Sequence, residues 1–169
     1  MLNKLNSIGY SFGYWLLVLL LGVALEAVGL YYQYALNEWP CVLCIHVRIW
    51  VMLLILVALT GLFLRKRRIA CGISHLAVAA IAIGILERAW VLLGTERGTL
   101  QAECGIDLGM PAWFAIDKWI PQVFGVWTSC GYTPELLFGI TMAEGLMMIS
   151  MALALISLMC ALAIFGDRH

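Results

Sequence analysis

The chain has 169 residues, of which 64% are hydrophobic and only 12% charged, and its mean hydropathy is +0.99. A soluble domain is about half apolar and a quarter charged, so a single water-soluble core does not hold this much apolar surface, and lipid is the expected solvent. Ten basic residues balance ten acidic ones, which leaves no electrostatic case for a nucleic-acid partner, and the length suits one integral-membrane domain, 1–169.

Spanning a bilayer takes about 20 helical residues. In chain order, the first apolar stretch long enough is 14–34, which holds one charge, Glu26. Lys4 ahead of a leucine-rich run resembles a signal peptide, but no A-x-A site follows, so the stretch is expected to be a retained anchor. The second stretch, 42–64, opens with the sequence PCVLCIHVR, which places Cys41, Cys44 and Arg48 together. Arg65, Lys66, Arg67 and Arg68 fill the turn before the third stretch, 69–93, which carries Glu87 and Arg88 near its end. Its small residues Ala77, Ala80 and Gly84 predict close helix packing. The segment 94–141 is long and mildly acidic, with Glu103 among its acids and PAWFAIDKWIPQVF within it. That aromatic-rich piece is expected to lie at the lipid surface as a short interfacial helix. The fourth stretch, 142–165, begins near Glu144. Each span is expected to be helical, because an open strand edge in lipid leaves backbone groups unpaired.

The expected fold is therefore all-α, a bundle of four transmembrane helices. Cytoplasmic loops carry the excess of lysine and arginine, so the basic turn, Lys4 and Arg168 put both termini in the cytoplasm. The loops 35–41 and 94–141 then face the other compartment, with Trp39, Trp113, Trp119 and Trp127 as an aromatic belt.

Topology also sorts the six cysteines. Cys71 and Cys160 fall at the cytoplasmic end, where thiols stay reduced, and read as small buried apolar residues. Cys41, Cys44, Cys104 and Cys130 reach the oxidising side, which leaves three pairings. Cys41 with Cys44 and Cys104 with Cys130 is the natural resting arrangement, the second also serving as a plain loop staple. A CxxC loop is too short to add much stability as a cross-link, so the first pair is expected to do chemistry.

On a helix, positions 41, 44 and 48 lie within about 60° of one another. Pro40 suits the first helical turn, and a helix N-terminus favours thiolate. Arg48 adds a positive charge ~6 Å along the axis from Cys44. An intramembrane arginine costs roughly 2.5–3.5 kcal/mol on insertion scales, so a functional role is preferred here to snorkelling. Glu26 falls at a similar depth; pairing with Arg48 and a protonated carboxyl bonded to backbone both remain open, and neither it nor His46 is given a catalytic role.

The combination of WPCVLC, the arginine four residues on, Cys104, DKWIPQVF and Cys130 resembles the disulfide bond formation protein B (DsbB) family over the whole chain. The resemblance implies a protein-dithiol:quinone oxidoreductase of the bacterial inner membrane. Its loop disulfide, Cys104–Cys130, oxidises a soluble thioredoxin-fold partner of the DsbA type. Cys130 is then reoxidised by Cys41–Cys44. Cys44 meets ubiquinone or menaquinone, and Arg48 stabilises the thiolate and the charge developing on the quinone. Where the family pattern places a histidine near the quinone, this chain reads LLGTERG, which makes Arg88 and Arg97 the candidates for further quinone contacts. No metal is expected. Two rival readings are a quinone or vitamin K epoxide reductase-like bundle run for the sake of the small molecule, and a metal site built from all four outer cysteines. Cys104 and Cys130 lack the close spacing of a zinc ribbon's second pair, and an inert scaffold or transporter leaves the cysteine clustering unexplained.

Overall fold

The computed structural model describes residues 2–100, 105, 107–137 and 139–166. Glu103, Cys104 and Arg168 lie outside the described residues. A short helix α1 (Leu2–Gly9) is followed by four long apolar helices: α2 (Phe12–Ala35), α3 (Val42–Leu64), α4 (Arg68–Glu96) and α7 (Met142–Gly166). Each of the four is long and apolar enough to cross a membrane, and together they form the bundle, with α4 packed most extensively on α7.

Local chemistry fixes where these helices begin and end. Ser11 caps α2, its Oγ accepting the Gly13 N–H at 3.1 Å. The basic turn between α3 and α4 is tied down at one end of the bundle. Arg65 donates to the Tyr10 carbonyl at 3.2 Å, and Arg68 to the Ile164 carbonyl near the end of α7 at 3.1 Å. At the other end, Thr141 and Glu144 form a reciprocal capping box. The Thr141 hydroxyl accepts the Glu144 N–H at 3.3 Å, and the Glu144 carboxylate accepts the Thr141 N–H at 3.2 Å. A two-stranded antiparallel hairpin, β1 (Glu135–Leu137) with β2 (Ile140–Thr141), leads into this cap.

The aromatic-rich loop segment is three single turns rather than one helix: a 3₁₀ turn at Ala112–Phe114, α5 (Ile116–Trp119) and α6 (Pro121–Phe124). Ile120 explains the break between the last two. A residue before proline is disfavoured in the α region, and Ile120 adopts φ −134, ψ 67.

Two apolar clusters make up the core. One runs down the bundle through Trp15, Val51, Leu54, Val78 and Ile85. The other surrounds the start of α3 and joins Cys41, Ile45 and Leu92 to Leu108 and Phe124 of the loop. Small residues let the helices approach, but the expected trio is only partly involved. A Cβ on Gly84 would stand 2.8 Å from the Trp50 ring, while Ala80 is exposed and Ala79, Ala82 and Ala89 are buried instead. The three share one face by their spacing, but that face lies at the edge of the bundle: Ala80 is exposed and Ala77 and Gly84 are only half-buried.

Gly61 is the tightest contact of this kind, because a Cβ there would overlap the fully buried Trp15 ring. Gly61→Ala is expected to destabilise the bundle by about 1–3 kcal/mol, the usual cost of overpacking. Thermal unfolding in detergent checks this against Gly13→Ala, whose Cβ meets only the Ser11 Oγ at 3.5 Å.

Candidate functional site

The N-terminus of α3 organises the site. Cys41 is the N-cap residue, extended at φ −86, ψ 171, and its Sγ accepts the Cys44 N–H at 3.4 Å. Pro40 therefore stands just before the cap, not in the first turn, and its carbonyl accepts the Trp127 N–H at 3.1 Å. The Sγ atoms of Cys41 and Cys44 are 2.8 Å apart as free thiols. With the Cys44 thiol bonding to it and helix amides facing it, the Cys41 thiol is held down at about 7 from an ordinary 9.0. The sign follows directly: Cys41 is a thiol below about pH 7 and a thiolate above it. Thiolate absorbance of the reduced protein is expected to rise through half its first step near that pH, and Cys41→Ser is expected to remove that step.

One turn further in, Arg48 is enclosed rather than drawn out to solvent: the residue is 7% exposed. Its guanidinium donates to Gln33 Oε1 at 2.6 Å, the Val123 carbonyl at 2.7 Å and the Gly29 carbonyl at 2.9 Å. All three acceptors are neutral. The ion pairs among the described residues are Arg88–Glu87 and Arg97–Glu144, at 2.9 and 2.5 Å, and neither involves Arg48. The arginine is thus fixed in place by neutral acceptors with no ion pair of its own among the described residues, an arrangement suited to an anion arriving beside it.

The α2 side of the site follows helical spacing. Glu26, Gly29 and Gln33 are three and four residues apart and share the face turned to α3. Gly29 brings its backbone against Arg48; a Cβ there would lie 3.5 Å from the guanidinium. Gln33, 4% exposed, accepts from Arg48 and donates through Nε2 to the Gln122 carbonyl at 2.9 Å. Among the described residues, Glu26 forms no ion pair with Arg48, and its Oε1 is buried with no hydrogen-bond partner, backbone included.

Between these walls lies a cavity of about 260 Å³, lined by Cys41, Cys44 and Arg48, by Glu26 and Gly29, and by apolar residues of α7 such as Leu146. Arg88 and Arg97 are not among its lining residues. Arg88 is engaged with its neighbour Glu87, and Arg97 with the carboxylate that caps α7.

The loop that carries Cys130 is drawn to the same place. Thr128 pairs with Cys41 in a parallel β-bridge, and Trp127 packs beside Trp39, the rings tilted with centroids 5.6 Å apart. Cys130 is disulfide-bonded and packs against the cluster that contains Cys41. Its expected partner, Cys104, lies outside the described residues. Gly131 takes φ +131, open to glycine and strained for other residues, so the backbone turns immediately after Cys130.

Gln33, the Gly29 carbonyl and the Val123 carbonyl were not among the expected site residues. A signal existed for Gln33, a polar residue in an apolar span seven positions after Glu26 and therefore on its face. The backbone acceptors leave no mark in the sequence.

Compared with known families, residues 12–160 match "Disulfide bond formation protein DsbB". The chain belongs to the DsbB family. Its curated relatives include disulfide bond formation protein B 2 of Pseudomonas aeruginosa, 35% identical over 132 residues, or 77% of this chain and 78% of the relative. Disulfide bond formation protein B of Shewanella sp. (strain MR-4) is 32% identical over 131 residues, covering 77% and 75%. The corresponding protein of Escherichia coli (strain K12) is 29% identical over 170 residues, covering 96% and 93%. As a DsbB-family chain with four membrane-spanning helices, this is a multi-pass membrane oxidoreductase of disulfide bond formation.

Proposed function

We propose that the protein takes electrons from a soluble thioredoxin-fold dithiol oxidase of the DsbA type and passes them to a membrane quinone, ubiquinone or menaquinone, in the bacterial inner membrane. In this reading the basic turn Arg65–Arg68 faces the cytoplasm and the four cysteines 41, 44, 104 and 130 face the periplasm.

The observation that carries the reading is one cavity lined by a CxxC dithiol and by an arginine that forms no ion pair among the described residues. The residues present fit a quinone: apolar walls accept its ring and tail, Arg48 offers N–H donors beside a buried thiol, and about 260 Å³ accommodates a ring-sized head group. When bound, the quinone supplies a two-electron sink.

Each remaining step belongs to the chain's own sulfurs. A partner thiolate attacks Cys104 and breaks its bond to Cys130, forming a mixed disulfide. The partner's second thiol then resolves that bond and leaves oxidised, and the loop pair is left as thiols. Cys130 attacks the Cys41–Cys44 disulfide, and the Cys104–Cys130 bond re-forms as Cys41 and Cys44 become thiols. The bridge between Thr128 and Cys41 supports this order, because it holds the Cys130 segment alongside the sulfur it must reach. Cys44, at the cavity wall, then delivers the electron pair, with Arg48 stabilising the negative charge that results. A metal site built from the four cysteines sits poorly with a disulfide-bonded Cys130, which has no thiolate to offer.

The test is coupled turnover. Purified protein, reduced partner and a quinone analogue are expected to give one partner disulfide per quinol. Partner oxidation with no quinone consumed, or quinone reduction by small dithiols with the partner left untouched, would overturn the reading.

A further inference from the structure

The LLGTERG stretch ends α4 on Glu96, with Arg97 as the C-cap residue. Neither charge lines the cavity beside Cys44; both are turned to the loop segment that follows Cys130. Arg97 pairs with Glu144, the carboxylate that caps α7. Glu96 Oε2 accepts the Thr133 hydroxyl at 2.5 Å. Thr133 is 2% exposed, and this bond, made to a charged acceptor, is the one its side chain forms among the described residues. The clamp stands in a second cavity of about 390 Å³, which shares Tyr32, Glu38, Tyr132 and Pro134 with the first.

The loop is held on both sides of Cys130. Ahead of it, the Trp127 N–H donates to the Pro40 carbonyl and Thr128 is bridged to Cys41. After it, Thr133 is tied to the end of α4. The chain beyond is braced in turn, the Pro134 carbonyl accepting the Met142 N–H and the Glu135 carbonyl accepting the Tyr32 hydroxyl, each at 3.1 Å. Cys130 therefore sits on a span of four residues, 129–132, hung between the N-terminus of α3 and the C-terminus of α4. The sulfur it must reach is enclosed: Cys41 is 2% exposed and packs in one apolar cluster with Cys130. The rate of thiol–disulfide exchange depends on which sulfur is attacked and on access to it, so where the Cys130 segment is pinned decides whether its sulfur arrives at Cys41.

We propose that Glu96 is a positioning residue for the internal disulfide exchange, holding Thr133 so that the Cys130 sulfur stays beside Cys41, an assignment that rests on the order of exchange given above. The step it serves balances. The Cys130 thiolate attacks the Cys41 sulfur, the Cys41–Cys130 bond forms, the Cys41–Cys44 bond breaks, and Cys44 leaves as the thiolate with the electron pair of the broken bond. No oxidant and no proton enters. Glu96 touches none of the three sulfurs and acts through Thr133 alone.

The test isolates that step in the full chain, in detergent, with Cys104→Ser as the parent, so that Cys130 has lost its loop partner. The Cys41–Cys44 and Cys41–Cys130 forms of this parent are isomers at one oxidation level. Their ratio in a glutathione redox buffer is therefore independent of the buffer's potential and reads how well the Cys130 sulfur is held at Cys41. Acid quenching, alkylation and non-reducing peptide mapping give the ratio. Thr133→Val and Glu96→Leu each remove one half of the clamp and are expected to lower the ratio of Cys41–Cys130 to Cys41–Cys44 roughly tenfold, within the range that a small misplacement of reacting groups costs. Thr133→Ser and Glu96→Gln keep a donor and an acceptor and should stay near the parent's ratio. The double change Thr133→Val with Glu96→Leu should be no worse than either alone. Glu96→Leu, at the half-buried end of α4, reads the clamp even where Thr133→Val does not fold. Thr133→Val and Glu96→Leu proteins with the parent's ratio overturn the proposal, as does a fall that Thr133→Ser and Glu96→Gln share, because the hydrogen bond is then not its cause. A Cys104→Ser parent that forms no Cys41–Cys130 bond overturns the order of exchange instead, and the positioning role with it.

Discussion

Replacing Cys44 with serine is expected to bring quinone reduction down to the uncatalysed background. Cys44 is one of two free thiols on the cavity wall, and the Cys41 sulfur 2.8 Å away is its partner in the two-electron step. A serine hydroxyl of similar size preserves the packing but forms no disulfide, so Cys41 alone has no two-electron oxidation available. One round of partner oxidation through the loop disulfide is expected to survive, followed by arrest. The readout pairs quinone absorbance with trapping of the partner's thiols. Cys71→Ser and Cys160→Ser, at buried free cysteines in the bundle core, serve as controls and are expected to turn over normally. A Cys44→Ser protein that reduces quinone at the wild-type rate would place electron exit at another atom.

Arg48→Met is the second substitution with a large expected effect, and it acts twice. The first effect is on stability. Gln33 Oε1 and the carbonyls of Gly29 and Val123 all accept from the guanidinium. Each buried acceptor left without a donor costs about 1–3 kcal/mol, which applies to Gln33 Oε1 and the Val123 carbonyl, while the Gly29 carbonyl keeps its place in the α2 ladder. Thermal unfolding in detergent should fall accordingly. The second effect is on the reaction: removing one preorganised donor to a developing negative charge typically costs about 10²–10³ in rate. Arg48→Lys is expected to fall between, because an ammonium keeps the charge but does not reproduce the flat fork that spans three acceptors. Equal rates for Arg48→Met and wild type would remove the arginine from the reaction and leave it a purely structural clamp.

The parts of this molecule that were legible in the sequence are those written in composition and spacing. Long apolar runs have one stable form in lipid, so the four-helix bundle could be read from residue types alone. PCVLC followed by Arg48 announced itself because a CxxC pair and an intramembrane charge are each unusual. What was not legible depends on backbone atoms and on neighbours far apart in the chain. The Gly29 and Val123 carbonyls that hold Arg48 are acceptors any residue would offer. The relation between Glu26 and Arg48 turned on a few ångströms, and depth counting allowed an ion pair that the structure does not form. The Thr141–Glu144 capping box did have a pattern, T-x-x-E before an apolar run, and that pattern also explains why Arg97 meets Glu144 rather than the cavity. Ile120 and Pro121 likewise contained the information that a single loop helix would break.

The same Nη1 atom of Arg48 serves Gln33 in the bundle and Val123 in the loop. Occupancy of the cavity and posture of the loop are therefore thermodynamically linked variables. A ligand that drew the guanidinium toward itself would loosen the Val123 contact of the Pro121–Phe124 turn, and with it the segment leading to Cys130. A docked protein that lifts this turn frees donor capacity for the ligand. Any coupling free energy between the two would have the same size whichever event comes first.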